Sequence, residues 1–150
     1  MRRFFLLSIK PEYSDRIFSG EKKFELRKRR LGIRRGDIVV VYTSSPTRAL
    51  TGAFMAMGEL ELPVGDMWVR HRAHLGIERG AFDRYFDGSE NAVAIPIGRA
   101  IRIPSIPLPD LRRLRPGFTP PQSFMYCPDA LKGHVLRATS DLLVSSVAVQ

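Results

Sequence analysis

Apolar residues in this chain come in short runs that glycine, proline or charge soon interrupts, and the clearest of them is GDIVVVYT at 36–43. A turn signal followed by β-branched residues reads as a central strand. FFLLSI at 4–9 has the same buried character. Pro11 suits the first turn of a short helix, PEYSDRIFSG, with Tyr13, Ile17 and Phe18 on its apolar side and Gly20 as its stop. EKKFELRKR alternates, with Phe24 and Leu26 to one side and Lys23, Glu25 and Arg27 to the other, which predicts a half-buried strand with a charged outer face. TSSPTR reads as a loop and ALTGAFMAMGEL as a further strand, in which Gly52 marks a bulge or a close backbone approach. Asp66 is placed to cap a helix through MWVRHRAHLG, and IERGAFDRYF predicts a second helix. NAVAIPIG returns to strand pattern, and IRIPSIPL predicts an edge strand, where Pro104 and Pro107 are tolerated. PDLRRL makes one or two helical turns, FTPPQSFMY reads as a loop, and HVLRATSDLLVSSVAVQ fits helix and strand alike. Strands outnumber helices and follow one another closely, which predicts an α+β domain or small barrel rather than a doubly wound sheet.

The chain has 150 residues without repeat, linker or low-complexity tract, so a single domain over 1–150 is expected. A core of that size needs no disulfide or metal. The lone Cys127 excludes an internal disulfide framework, and its setting in FMYCPD predicts packing. Charged residues break every apolar stretch well short of the ~18 residues that span a bilayer. MRRFFLLSIK has a basic start but no small-residue cleavage site after it, so it reads as a first strand of a cytoplasmic protein.

Charge is distributed unevenly. Residues 1–35 hold 12 of the 24 basic residues and only four acids, so +8 of the net +9 lies there. A polyanion is the partner this predicts, and phosphodiester chains are the commonest one. A solvated surface is the plainer alternative. Nineteen of the basic residues are arginine, whose planar fork suits phosphate and base edges.

No P-loop, GxGxxG, HExxH or GxSxG pattern occurs, so nucleotide-dependent, zinc-protease and hydrolase-elbow mechanisms have no support. His71 and His74, three apart on a helix, could share a metal, but no carboxylate is placed by motif to join them, and His134 has no partner. One packed and one solvated histidine is the expectation, with no metal and no cofactor. Three segments carry better chemistry. Glu25 and Arg27 share a strand face, so the acid can hold the guanidinium toward a phosphate or carbonyl. In VYTSSPTR, Tyr42 leaves a strand and is followed by hydroxyls and Arg48, which combines a proton donor with a cation; ordinary turn chemistry is the alternative. In PPQSFMY, Gln122 and Ser123 stand between prolines and aromatics, as a base-reading wall would, or simply as a packed edge loop.

The blocks LLSIKPEYSDRIFSGEKKFELRKR, VVVYTSSPTRALTGAF, GAFDRYFDGSENAVAIPI and PPQSFMY resemble, in succession, those of an ASCH domain of the PUA-like superfamily. The resemblance covers about residues 4–127, leaves 128–150 as an extension, and is most specific in its first block. It implies a small PUA-like mixed β-barrel flanked by short helices, with a cleft for RNA or a modified nucleoside. Activities attributed to branches of the family include single-stranded RNA cleavage and hydrolysis of N4-acetylcytidine. The amidohydrolase branch is matched at Lys22 and Arg27, but Glu25 replaces its nucleophilic threonine, so only general-base activation of water remains. The ribonuclease-like branch uses a tyrosine, a lysine and a serine, matched by Tyr42, Arg48 and Ser123; arginine keeps the charge but cannot serve as a base.

The expectation is an RNA-binding domain, with metal-independent cleavage of single-stranded RNA as the activity the resemblance implies. Lys10, Lys22 and Arg27 would line the cleft, Tyr42, Arg48 and Ser123 would meet the reacting nucleotide beside Gln122, and Arg29, Arg30, Arg34 and Arg35 would gather the backbone. The alternatives are a nucleoside deacylase centred on Lys22, Glu25 and Arg27, and a non-catalytic transcription or translation cofactor.

Overall fold

The computed structural model describes residues 2–140. Its elements run β1 Phe4–Ile9, α1 Pro11–Ser19, β2 Phe24–Arg27, β3 Ile38–Thr43, β4 Ala49–Ala56, β5 Leu60–Pro63, α2 Val64–Leu75, α3 Arg79–Tyr85, β6 Asn91–Pro107, α4 Leu108–Leu114, β7 Phe124–Tyr126 and α5 Asp129–Ala138. The α+β class is as the sequence suggests. Seven strands form one curled half-barrel sheet in the order β2-β6-β4-β3-β1-β7, with β5 also paired to β6. β1 and β3 are parallel and every other pairing is antiparallel.

FFLLSI and IVVVY are apolar at successive positions because their strands are covered on both faces. Phe4, Leu6, Ile38 and Val40 pack into one core with Leu108, Leu111, Phe118, Leu131 and Val135. Phe5, Leu7, Val39 and Val41 pack into another with Ile17, Phe54 and Ile95. A third core joins Leu26 and Ala94 to Met67, Leu75, Phe82 and Phe86 of the α2–α3 pair. α1 is built as its sequence predicts. Pro11 opens it, and Gly20 ends it at φ 86°, its amide donating to the Ile17 carbonyl at 3.1 Å.

Several boundaries differ from expectation. NAVAIPIG and IRIPSIPL are one strand of 17 residues, and it is interior rather than an edge. Its first half lies between β2 and β5 and its second half pairs with β4, so the strand passes from one part of the sheet to the other. Pro104 falls within a register shift between the pairs Leu50–Ile106 and Gly52–Arg102, where a missing N–H is tolerated. Gly52, in the same irregularity, is a close approach: a Cβ there would collide with the Ile101 carbonyl oxygen and the Phe18 ring. ALTGAFMAMGEL is two strands, β4 and β5, separated near Gly58 at φ 99°. Asp66 lies in the first turn of α2 and not at its cap, which is Pro63. The FTPPQSFMY segment is not all loop, since Phe124–Tyr126 adds an antiparallel strand to β1. The stretch that fitted helix and strand alike begins as the helix α5; its remainder, residues 141–150, lies outside the described residues.

Among the described residues no helix is long and apolar enough to cross a membrane.

Candidate functional site

β1 ends at Ile9, β2 runs past it through Glu25 and Arg27, and β3 delivers Tyr42 to the same level, since Ser8 pairs with Tyr42 across the β1–β3 ladder. These strand ends, with α1, α3 and residues 120–122, enclose a cleft of about 980 Å³. Its lining includes Ser8, Lys10, Tyr13, Arg16, Lys22, Glu25, Arg27, Tyr42, Ser44, Arg84, Tyr85 and Gln122.

At its foot Arg27 Nη2 donates to Glu25 Oε2 at 3.0 Å, and both side chains are buried. The same nitrogen reaches the Ser8 carbonyl at 3.1 Å, and Nη1 reaches the Ser123 carbonyl at 3.3 Å. The guanidinium is thereby held by β1, β2 and the entry to β7 together. Its Nε is buried without a hydrogen-bond partner. The charged outer face predicted for this strand holds only at Lys23, which is exposed: α3 and the 120–123 segment fold over Glu25 and Arg27, which line a cleft instead of meeting bulk water.

Lys22 is 3% exposed, and its Nζ donates to the Leu75 carbonyl at 2.7 Å and lies 5.3 Å from the Tyr13 ring centre. Burial holds its ammonium below the ordinary lysine value; Glu25 opposes that shift, while Arg16 and Arg27 reinforce it. Tyr85 donates to the Leu26 carbonyl at 3.4 Å, and burial raises its phenol pKa, with Arg27 opposing and Glu25 adding. Tyr13 is likewise raised, chiefly by burial. Arg16 donates to the Gly76 carbonyl at 2.9 Å and sits 5.6 Å from the Tyr13 ring centre.

The sequence-expected residues divide into three groups. Lys10, Lys22, Glu25, Arg27, Tyr42 and Gln122 are brought together in the lining. Arg48 and Ser123 are not among the lining residues. Arg48 is exposed beyond the turn after β3, with a left-handed φ of 52° and its amide donating to the Ser44 carbonyl at 3.4 Å. Ser123 is exposed as well, and it is its carbonyl, not its hydroxyl, that Arg27 engages. Arg29, Arg30, Arg34 and Arg35 are exposed on the connection from β2 to β3, outside the lining. Arg30 is partly spent there, its Nε lying 2.8 Å from Glu61. Tyr13, Arg16 and Tyr85 are lining residues that sequence reading missed. Tyr13 and Arg16, three apart on α1, share a helix face, which is the signal that could have found them.

His71 and His74 both pack near Phe24, with ring centres 5.0 and 5.5 Å away, and His74 remains exposed. Among the described residues no group of three or more His, Cys, Asp or Glu side chains is placed to hold a metal ion. Cys127 is buried in the first core and its thiol is pushed up to about 12 by burial, which suits packing and not nucleophilic attack.

A curled mixed sheet with helices on both sides and a cleft walled by buried Lys, Glu, Arg and Tyr side chains defines a class of polar-cleft half-barrel proteins. The ASCH domain model matches residues 7–98, and the chain belongs to this family. It is similar to an ASCH domain-containing ribonuclease of Zymomonas mobilis subsp. mobilis, with 26% identity over 125 residues, covering 83% of this chain and 84% of that protein. The crystal structure of ASCH from Zymomonas mobilis matches with a TM-score of 0.85 at 24% identity, over 91% of this chain and 96% of that one. A tyrosine-to-phenylalanine mutant from the same organism matches at 0.84 and 24% identity, over 91% and 98%. The N-terminal domain of McrB from Staphylothermus marinus shares the fold more distantly, at 0.60 and 10% identity, over 91% and 94%.

Proposed function

We propose that this chain binds single-stranded RNA in the cleft and cleaves it by transesterification without a metal ion. The observation that carries the reading is the fixed Arg27–Glu25 pair at the foot of a cleft also lined by Lys22 and Tyr42. The similarity to the Zymomonas ribonuclease supports the same reading. Proton transfer and charge stabilisation are assigned to Lys22, Tyr42 and Arg27, which share the lining.

In this mechanism the ribose 2′-oxygen bonds to the adjacent phosphorus as the P–O5′ bond breaks. Lys22 lines the cleft with its charged form disfavoured by burial, and the fraction of it that is neutral accepts the 2′-hydroxyl proton. Tyr42 donates a proton to the departing 5′-oxygen and regains one from Lys22 through water. Arg27 supplies positive charge that Glu25 and two carbonyls hold in place, so it needs no reorganisation as charge develops on phosphorus. Arg48 contacts Ser44 through its backbone, and Ser44 lines the cleft, so its long side chain can close on a bound phosphate from the margin. Ser123, next to Gln122 of the lining, would meet the ribose.

The test is cleavage of a single-stranded oligoribonucleotide in EDTA, with the ends identified. Cyclic or 3′-phosphate ends are expected, and Tyr42→Phe should slow cleavage roughly 100-fold or more. Complete loss of activity in EDTA, or parent-like cleavage by Tyr42→Phe, would overturn the mechanism. A second reading, deacylation of a modified nucleoside such as N4-acetylcytidine, is favoured by one observation: Lys22 and Glu25 are both buried in the lining. Release of acetate from that nucleoside, insensitive to salt, would establish it instead. A third, the non-catalytic cofactor, predicts binding without turnover.

A further inference from the structure

β7 forms the outer edge of the sheet among the described residues, and it carries two exposed aromatic side chains, Phe124 at 38% and Tyr126 at 61%. Two aromatic rings on one face of an exposed edge strand offer a flat apolar surface on which another ring can stack. Phe5 pairs with Tyr126 and Leu7 with Phe124 across the β1–β7 ladder, so both rings stand on the Phe5 face of the sheet. The Tyr126 ring stacks on Phe5 with centres 4.9 Å apart, and Phe124 lies 6.3 Å from the same ring. Phe5 itself is 1% exposed, so the outer rings rest on a rigid base.

An arginine stands near each end of this strip. Ser123, adjacent to Phe124, has its carbonyl bonded to Arg27 in the cleft at 3.3 Å. From Arg27 the chain leaves through Lys28, Arg29 and Arg30, all exposed, and passes Gly32, whose carbonyl accepts from Arg3 at 2.6 Å. Arg3, ion-paired with Asp37 at 2.6 Å, lies 5.0 Å from the Phe5 ring centre, the ring on which Tyr126 stacks. Arg34 and Arg35, also exposed, follow. Arg27, paired with Glu25, thus stands behind the Ser123 end of the strip and Arg3, paired with Asp37, beside Phe5, and through Ser123 the strip adjoins Gln122 of the cleft lining.

We propose that Phe124 and Tyr126 form a stacking platform for unpaired bases of single-stranded RNA, extending the binding site out of the cleft along β7. The proposal rests on the reading of the cleft as an RNA site. It follows from what such a ligand needs: π-faces for successive bases, with the exposed Arg29, Arg34 and Arg35 of the connection from β2 to β3 to meet phosphates, and no demand on sequence. A nucleoside deacylase would have no use for it, because neither ring is among the residues that line the cleft.

Binding of a non-cleavable eight-nucleotide 2′-O-methyl oligouridylate and of a dinucleotide of the same chemistry tests it. For Tyr126→Ala, and for Phe124→Ala with Tyr126→Ala, the ratio of octamer to dinucleotide affinity should fall about tenfold or more. Tyr126→Trp should restore the ratio, with its fluorescence quenched on octamer binding, which a merely folding-related defect would not produce. An unchanged ratio in folded Tyr126→Ala overturns the platform and leaves the cleft reading intact. So does light scattering that shows the parent to be a dimer which Tyr126→Ala converts to monomers, since the face would then serve a second copy of the chain. A parent that binds neither oligomer overturns both readings.

Discussion

Arg27 and Glu25 are two residues apart on β2, and their guanidinium and carboxylate meet at 3.0 Å in a place where both side chains are about nine-tenths removed from solvent. Two charges so placed attract strongly, but each also lost its hydration in getting there, so the pair is more informative about position than about stability. The orphaned Arg27 Nε shows that even the pair and its two carbonyl contacts leave one polar atom unsatisfied. A scaffold-only ion pair would be cheaper on the surface.

Breaking that pair should therefore be costly. Glu25→Gln leaves Arg27 charged and only partly partnered, and should destabilise the fold by about 3 kcal/mol in chemical denaturation. Replacing both, Glu25→Leu with Arg27→Met, should cost less than the single change while abolishing cleavage. Equal or greater destabilisation of the double variant would refute the account of the pair as a functional burden.

Lys22 gives a pH signature. Its folded pKa lies below the ordinary value of 10.5 because burial penalises the charged form. Between the folded and unfolded values the unfolded chain holds more protons, so stability rises with pH across that window, and the cost of the buried charge is present in full below it. The stability of Lys22→Met relative to the parent should accordingly decline as pH is raised from 7 toward 10.5. A difference that stays constant over that range would contradict the assigned burial of the charge.

RNA affinity should depend on salt through the connection from β2 to β3. Reversing Arg29, Arg34 and Arg35 to Glu should weaken binding of all single-stranded sequences alike, since phosphate contacts carry no sequence information. If each contacts one phosphate, the slope of log affinity against log salt falls in magnitude by about 2. Arg30→Glu should do more to stability than its neighbours, because it also loses its contact with Glu61. Parent-like affinity in the triple variant would mark the basic run as a solvated face.

Gly52→Ala tests the bend in the sheet. The added methyl meets a backbone oxygen, that of Ile101, as well as the Phe18 ring, and the backbone cannot yield without disturbing the β4–β6 ladder. A loss of about 2 kcal/mol is expected from overpacking of this kind. A melting temperature within a degree of the parent's would show that the bulge can relax.

Much of the architecture was legible in local sequence. FFLLSI, PEYSDRIFSG and GDIVVVYT became strand, helix and strand because each carries its own determinants: apolar residues suited to burial on both faces, proline and glycine at the two ends of a helix, and β-branched residues after a turn. Gly52 could be read as a close approach because a glycine inside a strand pattern has few other reasons to be there. The grouping of Lys22, Glu25, Arg27 and Tyr42 was reachable from residue type together with the resemblance of the first block. What tertiary structure decided was which polar residues are inside. Alternation in EKKFELRKR says only that Glu25 and Arg27 share a face; that the face is roofed by α3 and residues 120–123 depends on chain some 50 to 100 positions away. The same holds for β6, whose prolines suggest an edge until its neighbours on both sides are known, and for Arg48, whose nearness in sequence to Tyr42 did not bring it into the lining: Ser44 lines the cleft, and residues 45–48 beyond it are exposed. Local sequence sets backbone preference and which residues share a face, over a few residues at a time; burial of a charge is a property of everything packed around it, and only the assembled fold specifies that.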